Sequence, residues 1–297
     1  MITGTYGDAA DQGSLFTLPS ADAPDLASYD VILVNISGGK DSQAALDETV
    51  RAADAAGVRH RIVTVFCDLG DEDEWPGTRE LAAEHAAHYG LRHEVVRREI
   101  TTADGRRVPQ SLSEHIEARG MWPDAARRYC TSDMKRAPVH RLMTRLAGEK
   151  RAAGITRRRV RILNVLGLRA QESPGRALLA PFASDERATN QTVRLVDQWL
   201  PVHDWDARQV WERIASAGTS PHPVYAAGMP RLSCRFCVLA SRSALVLAAR
   251  LDPDGAERRA AMEERMGHRF RNDLAMRDIV AEAKAAPGPA AVEDWAA

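Results

Sequence analysis

The sequence predicts an α/β protein: a doubly wound parallel five-stranded sheet with a mostly helical C-terminal extension. Three observations carry this. Apolar runs of strand length alternate with amphipathic, helix-like stretches from residue 29 onward, an order that yields parallel sheets with right-handed crossovers. The runs are apolar without alternation, as in strands covered on both faces. A Gly-Gly turn joins the first run to the first helix, and sheets of this kind hold ligands at the carboxyl ends of their strands.

The elements follow in order. Residues 1–28 read as a mobile or loosely docked leader; acids and no basic stretch precede any apolar core, so a secretory signal is not expected. "YDVILVNIS" (29–37) is the first strand. "DSQAALDETVRAADAAG" is a helix closed by Gly57. "RHRIVTVFCDLG" (59–70) is a second strand ending in an acidic loop. "WPGTRELAAEHAAHYG" is a helix stopped by Gly90, and "LRHEVVRREI" is a third strand. "SLSEHIEARG" and "APVHRLMTRLAGE" are helices. "VRILNVLGL" (160–168) is another buried strand, and "TVRLVDQWLPV" is extended. "DARQVWERIASAG" is a helix with Asp206 as N-cap. From Ser241 the chain is helical, interrupted near "LDPDG". "GHRFRNDLAMRDI" (267–279) is read as the start of an amphipathic helix, and the last residues as frayed. A nucleotide-binding domain is drawn over 29–195 and a helical region carrying Cys-x-x-Cys over 196–297.

Composition narrows the classes. The chain has 297 residues, 44% of them hydrophobic, enough for a sizeable core. No apolar run approaches the roughly 18 residues of a membrane span, so a cytoplasmic protein without a membrane partner is expected. Four cysteines are too few for a disulfide framework, and Cys-x-x-Cys points to metal or redox chemistry. The formal net charge is -1, but it is unevenly spread. From Arg119 to Arg176 there are 15 Lys and Arg against 4 Asp and Glu, a basic half that suits a polyanion as well as solvated helix faces. The nine histidines show no ligand spacing.

"SGGKDS" (37–42) is the central motif. A Walker A loop aligned on Gly39-Lys40 would need glycine at Val34 and a hydroxyl at Asp41, and no Gly-x-Gly-x-x-Gly is present. The physics still fits phosphate. Gly38 and Gly39 permit a tight turn with exposed N–H groups. The following helix offers its positive end, Ser37 and Ser42 offer hydroxyls, and Lys40 offers charge. Asp41 would repel bare phosphate, so it is expected to cap the helix or meet Mg²⁺ on the phosphates.

Ser37 to Ser42 match the SGGxDS motif, so the stretch resembles the PP-loop of the adenine nucleotide α-hydrolase (HUP-like) family, the N-type ATP pyrophosphatases. The resemblance implies that an acceptor oxygen attacks the α-phosphorus of ATP, pyrophosphate leaves and an adenylated intermediate forms. Four further blocks resemble the PAPS reductase-like branch: "RRYCTSDMKRAPV" (127–139), "LGLRAQESPGR" (166–176), "LPVHDWDARQVWERI" and "HPVYAAGMPRLSCRFC". They are ordered and cover roughly residues 30–240. The resemblance puts Gly167, Arg169 and Arg176 at the nucleotide, where Arg forks suit phosphate; an ion-paired surface turn is the plainer alternative. Asp68, ending the second strand, would hold a ribose, a magnesium water or simply its loop. Lys40, Asp41 and Arg169 are the expected catalytic residues.

Two departures from that branch matter. Sulfonucleotide reductases do not need an intact ATP-type loop, and no cysteine follows Cys237 here to act as their nucleophile. The pattern more nearly resembles the ATP-pyrophosphatase components of DNA phosphorothioation systems. That implies ATP-driven adenylation of an acceptor for sulfur insertion, with a cysteine desulfurase or other sulfur donor, other subunits of a modification complex, and nucleic acid as partners, DNA favoured over tRNA. Sulfonucleotide reduction, tRNA thiolation and a non-catalytic nucleotide-binding subunit of a defence complex are the alternatives. Cys234 and Cys237 have metal spacing, and the resemblance brings Cys130 to them, implying a 4Fe–4S cluster, with Zn²⁺ the rival. Cys67 is a possible fourth ligand, though a core thiol is the simpler expectation.

Overall fold

The computed structural model describes residues 23–285. The expected leader and the final residues of the tail lie mostly outside the described residues. What is described of the leader docks: Asp25 caps a short 3-10 turn over Leu26–Ser28, and Leu26 is buried against the first strand.

The strands are β1 (Val31–Asn35), β2 (Ile62–Asp68), β3 (Arg92–Arg97), β4 (Glu99–Thr101), β5 (Arg107–Pro109), β6 (Val160–Leu166), β7 (Phe182–Ser184) and β8 (Arg194–Trp199). The helices are α1 (Lys40–Ala55), α2 (Thr78–His88), α3 (Leu112–Arg119), α4 (Tyr129–Thr131), α5 (Ala137–Ala152), α6 (Pro174–Ala177), α7 (Ala207–Ala217), α8 (Arg242–Leu251), α9 (Pro253–Met266) and α10 (Met276–Ala285).

The main sheet has six strands in the order β3-β2-β1-β6-β8-β7. Five are parallel, as the sequence implied, and β7 adds an antiparallel edge to β8. The count of five is thus corrected to six: β7 is only three residues long, too short for a periodicity to register. The same limit hid the β4–β5 hairpin. Parallel β8 spans the 195/196 boundary drawn from the sequence.

The double winding is visible residue by residue on β1. Ile32 and Val34 join the core formed with Leu46, Val50 and Ala53 of α1 and Ala82 and Ala86 of α2. Val31 and Leu33 join the opposite core, with Val139, Leu142, Met143 and Leu146 of α5. Side chains alternate across a strand, so a strand sandwiched between two helical layers is apolar at every position. Each such aliphatic side chain contributes about 1.5–3 kcal/mol by burial.

Helix ends follow local chemistry. Gly57 and Gly90 take the left-handed conformation just beyond α1 and α2, as expected. Asp206 accepts from the Gln209 N–H at 2.7 Å and starts α7. Ser111 and Glu114 form a capping box on α3. The helix expected from residue 267 begins only at Met276. Gly267 ends α9, and Glu263 takes the N–H groups of Phe270 and Met276, tying the intervening turn down.

The helical C-terminal region packs its own core, in which Leu245, Phe270 and Ile279 meet Trp75 of the acidic loop and Trp122. Buried ion pairs stitch the two parts together. Asp73 accepts from Arg259 of α9 at 2.5 Å and from the N–H and hydroxyl of Ser113.

Candidate functional site

The direction of winding reverses at β1, whose neighbours are β2 on one side and β6 on the other. A crevice opens at such a switch point beyond the strand ends. The glycine loop leaves β1 there, and Gly167–Arg169 leaves β6 beside it.

The loop is shaped by its own hydroxyls. Ser37 N–H donates to Ser42 Oγ at 3.1 Å, and Ser42 Oγ donates to the Gly39 carbonyl at 2.8 Å. Gly38 has φ +71°, a left-handed backbone that glycine adopts without penalty. The amides of Asp41 and Ser42 find no hydrogen-bond acceptor among the described residues. They sit at the positive end of a 16-residue helix, the arrangement that receives anions.

Gly167 makes the convergence possible. A Cβ there would lie 2.5 Å from the Asp41 carbonyl oxygen and 2.6 Å from Ser42 Cα. Backbone meets backbone, with no flexible side chain to yield. Gly167→Ala should therefore push β6 away from α1 and cost about 1–3 kcal/mol, measured by chemical denaturation. Stability equal to the parent protein would show that the loop moves freely.

Around the loop the charges are buried or half-buried and mostly positive. Arg169 Nε donates to Asp41 Oδ1 at 2.5 Å, and Lys40 Nζ lies 3.5 Å from Asp41 Oδ2. Lys40 also donates to the Pro230 carbonyl at 3.1 Å, and its backbone N–H donates to Tyr225 Oη at 2.9 Å. Glu172 binds Arg176, and Arg231 at 2.8 Å, while accepting from the Arg169 N–H at 3.0 Å. Four cations thus face two carboxylates. Burial pushes the Lys40 ammonium below its ordinary value; Asp41 opposes this, and Arg169 and Arg231 add to it. Burial, then Arg231 and Arg128, lower Arg176 to about 10. Arg231 is likewise lowered by burial, with Asp41 opposing. Crowded, desolvated cations are relieved by an incoming anion.

Asp41 has the hard oxygen chemistry of a Mg²⁺ ligand, and one carboxylate beside substrate phosphates suffices for that ion. Its two oxygens face Arg169 and Lys40 in this arrangement. Asp68 is 2% exposed, holds the Gly70 N–H at 2.9 Å and is paired with Arg97 and Arg79. Of the roles open to it, the structure displays the loop-holding one.

The thiols gather nearby. Cys130, Cys234 and Cys237 pack against one core, and Cys67 donates to the Lys135 carbonyl at 3.9 Å from the neighbouring one. All four are part-exposed. A π turn over Ser132–Arg136 follows Cys130, a local widening common at functional sites, and it carries Lys135. Lys135 is exposed. Desolvation alone would lower its ammonium, but the sulfurs of Cys234, Cys67 and Cys130, with Glu74, outweigh this and raise it. Burial pushes Cys67 and Cys234 up to about 12 and Cys237 upward as well. The donors are therefore of the right type for a thiophilic metal. Yet among the described residues no group of three or more His, Cys, Asp or Glu is arranged as metal ligands. The three thiols lie against one core without forming a closed ligand set among the described residues. Three residues on two separate segments leave the spacing to tertiary packing.

Burial also raises Glu74 to about 8, with Asp68 adding to it and Lys135 opposing. Sequence reasoning passed over Glu74, Tyr225 and Arg231. Arg231 stands three residues before Cys234 in "MPRLSC", a position with no periodic or motif signal. Tyr225 lies in a quoted block, but only the fold puts its hydroxyl on α1.

The chain belongs to the phosphoadenosine phosphosulfate reductase domain family, which it matches over residues 31–240. With the crevice and its cations, this makes it a PAPS reductase-like nucleotide-binding domain. An uncharacterized 37.8 kDa protein of Escherichia phage 186 is 25% identical over 252 residues, covering 74% of this chain and 70% of that protein. Among solved structures, phosphoadenylyl-sulfate reductase from Candida auris is 15% identical, covers 70% of this chain and 82% of its own, and has a TM-score of 0.41. U34-tRNA thiolase NcsA from Methanococcus maripaludis, solved with its 4Fe–4S cluster, is 11% identical, covers 92% and 80%, and has a TM-score of 0.42. Among the described residues no helix is long and apolar enough to cross a membrane.

Proposed function

We propose that the chain binds ATP at Ser37–Ser42 and adenylates an acceptor oxygen, most favourably a DNA backbone phosphate, for sulfur insertion. The supporting observation is the cluster of Lys40, Arg169, Arg176 and Arg231 around a helix N-terminus, the first two buried and the others half-buried, with Asp41 and Glu172 among them. That excess suits a triphosphate. The acceptor oxygen forms a bond to the α-phosphorus while the bridge to the β-phosphorus breaks, and pyrophosphate leaves with the bond's electrons. Sulfide, released when a thiol reductant cleaves the persulfide carried by a cysteine desulfurase or other donor, then forms a phosphorus–sulfur bond, and AMP departs with the oxygen. Arg169 and Lys40 hold the phosphates and spread the developing charge; Asp41 orients both and meets the Mg²⁺ that accompanies ATP. Cys130, Cys234 and Cys237 would hold a 4Fe–4S cluster, which when bound supplies an iron site for sulfur.

The decisive measurement is pyrophosphate release from ATP by anaerobically prepared, reduced protein, with duplex DNA, with tRNA and with no acceptor. Pyrophosphate release in the presence of DNA is expected, with matching AMP formation once sulfide is added. No release with any acceptor would overturn the reading. A colourless preparation holding stoichiometric zinc would overturn the cluster. The family match favours one second reading, in which the same cations hold a sulfonucleotide; sulfite formation from phosphoadenosine phosphosulfate would select it.

A further inference from the structure

The basic stretch from Arg119 to Arg176 looks uniform in sequence, but its charges differ once their partners are in place. Arg119, Arg127, Arg145, Arg158 and Arg161 are each ion-paired to a carboxylate. Arg141 donates to the Arg97 carbonyl and Arg159 to Gln191. Lys150 and Arg151 close the last turn of α5, where cations complement the helix dipole, and Arg157 lies in the turn leading to the amino end of β6. Lys135 is turned toward the thiols.

Two cations remain beside the crevice. Arg128 and Arg136 are exposed, and neither makes a side-chain hydrogen bond or ion pair among the described residues. They bracket Cys130 and the π turn, and Arg128 lies near enough to Arg176 to help depress its charge. Both guanidiniums therefore belong to the short segment that carries Cys130 and Lys135 and leads into α5. A solvated guanidinium with no internal partner keeps its fork open for a phosphate. A nucleic-acid backbone, with one negative charge per roughly 1.7 Å of duplex axis, can engage both at once.

We propose that Arg128 and Arg136 dock the backbone phosphates of a DNA strand beside the thiols, so that the acceptor lies between Arg176 and Cys130. This rests on the adenylation reading above and names the residues that receive its acceptor.

The test is binding of a fluorescein-labelled DNA duplex by the full chain across a salt series, comparing R128Q/R136Q with R151Q/R157Q. Each phosphate contact contributes about 0.9 to the slope of log affinity against log salt. R128Q/R136Q should therefore bind more weakly, with a slope smaller by about 2, while binding of a non-hydrolysable ATP analogue stays unchanged. R151Q/R157Q should leave slope and affinity near the parent values. The proposal is overturned if R128Q/R136Q keeps the parent slope, if R151Q/R157Q loses as much, or if the parent protein does not bind DNA. Pyrophosphate release separates the two readings. Loss of DNA binding in R128Q/R136Q with no release from ATP by the parent protein would keep the docking strip and discard adenylation. Release without DNA binding would do the reverse.

Discussion

Asp41→Asn should lower pyrophosphate release from ATP by at least about 100-fold, the usual loss when one preorganised charge-stabilising group is removed. The amide keeps the shape of the carboxylate and can still accept from Arg169 Nε, so the fold and the loop should persist. What disappears is the charge that orders Arg169 and Lys40, at 2.5 Å and 3.5 Å. Binding of a non-hydrolysable ATP analogue should be retained or tightened, because a net negative charge has left a cationic site. Activity within a few-fold of the parent protein would mean that Asp41 only holds Arg169 and Lys40 in place.

Breaking the Asp73–Arg259 pair should have the largest effect on stability. Asp73 is 2% exposed and Arg259 6%, and Ser113 completes the network through its N–H and hydroxyl. Removing one member leaves the other charged, buried and unpaired, which costs about 3–5 kcal/mol. Asp73→Ala and Arg259→Met should each show that loss in urea denaturation. The double variant should lose far less than the sum, since neither charge is then stranded. Additive losses would show that the pair does not hold α9 to the acidic loop. That loop carries Trp75 and Glu74, so loosening it should also disturb the packing of the thiols.

Much of the scaffold was legible in the chain. Continuous apolar runs marked the parallel strands because a strand covered on both faces has no polar side to show. Gly57, Gly90 and Asp206 marked helix ends because caps are satisfied by the nearest few residues. "SGGKDS" marked a tight turn between strand and helix, and the structure sets those six residues at the switch point with two amides open. Three-residue strands and the π turn escaped because they are shorter than any period that could reveal them. Arg231 escaped because nothing local requires it.

The sequence by itself determined where the chain turns, which stretches must be buried, and that a cationic glycine loop opens the first helix. These are matters of backbone sterics and of side-chain order over a few residues. The tertiary structure alone decided which charges meet. Asp41 reaches Arg169 across 128 positions, Tyr225 closes on the amide of Lys40 across 185, and Arg128 and Arg136 stay open while Arg119, Arg127, Arg145, Arg158 and Arg161 find carboxylates. Pairing depends on how strands cross over and layers pack. A run of 15 basic residues is therefore one undivided charge in the chain, and a graded surface only in the fold.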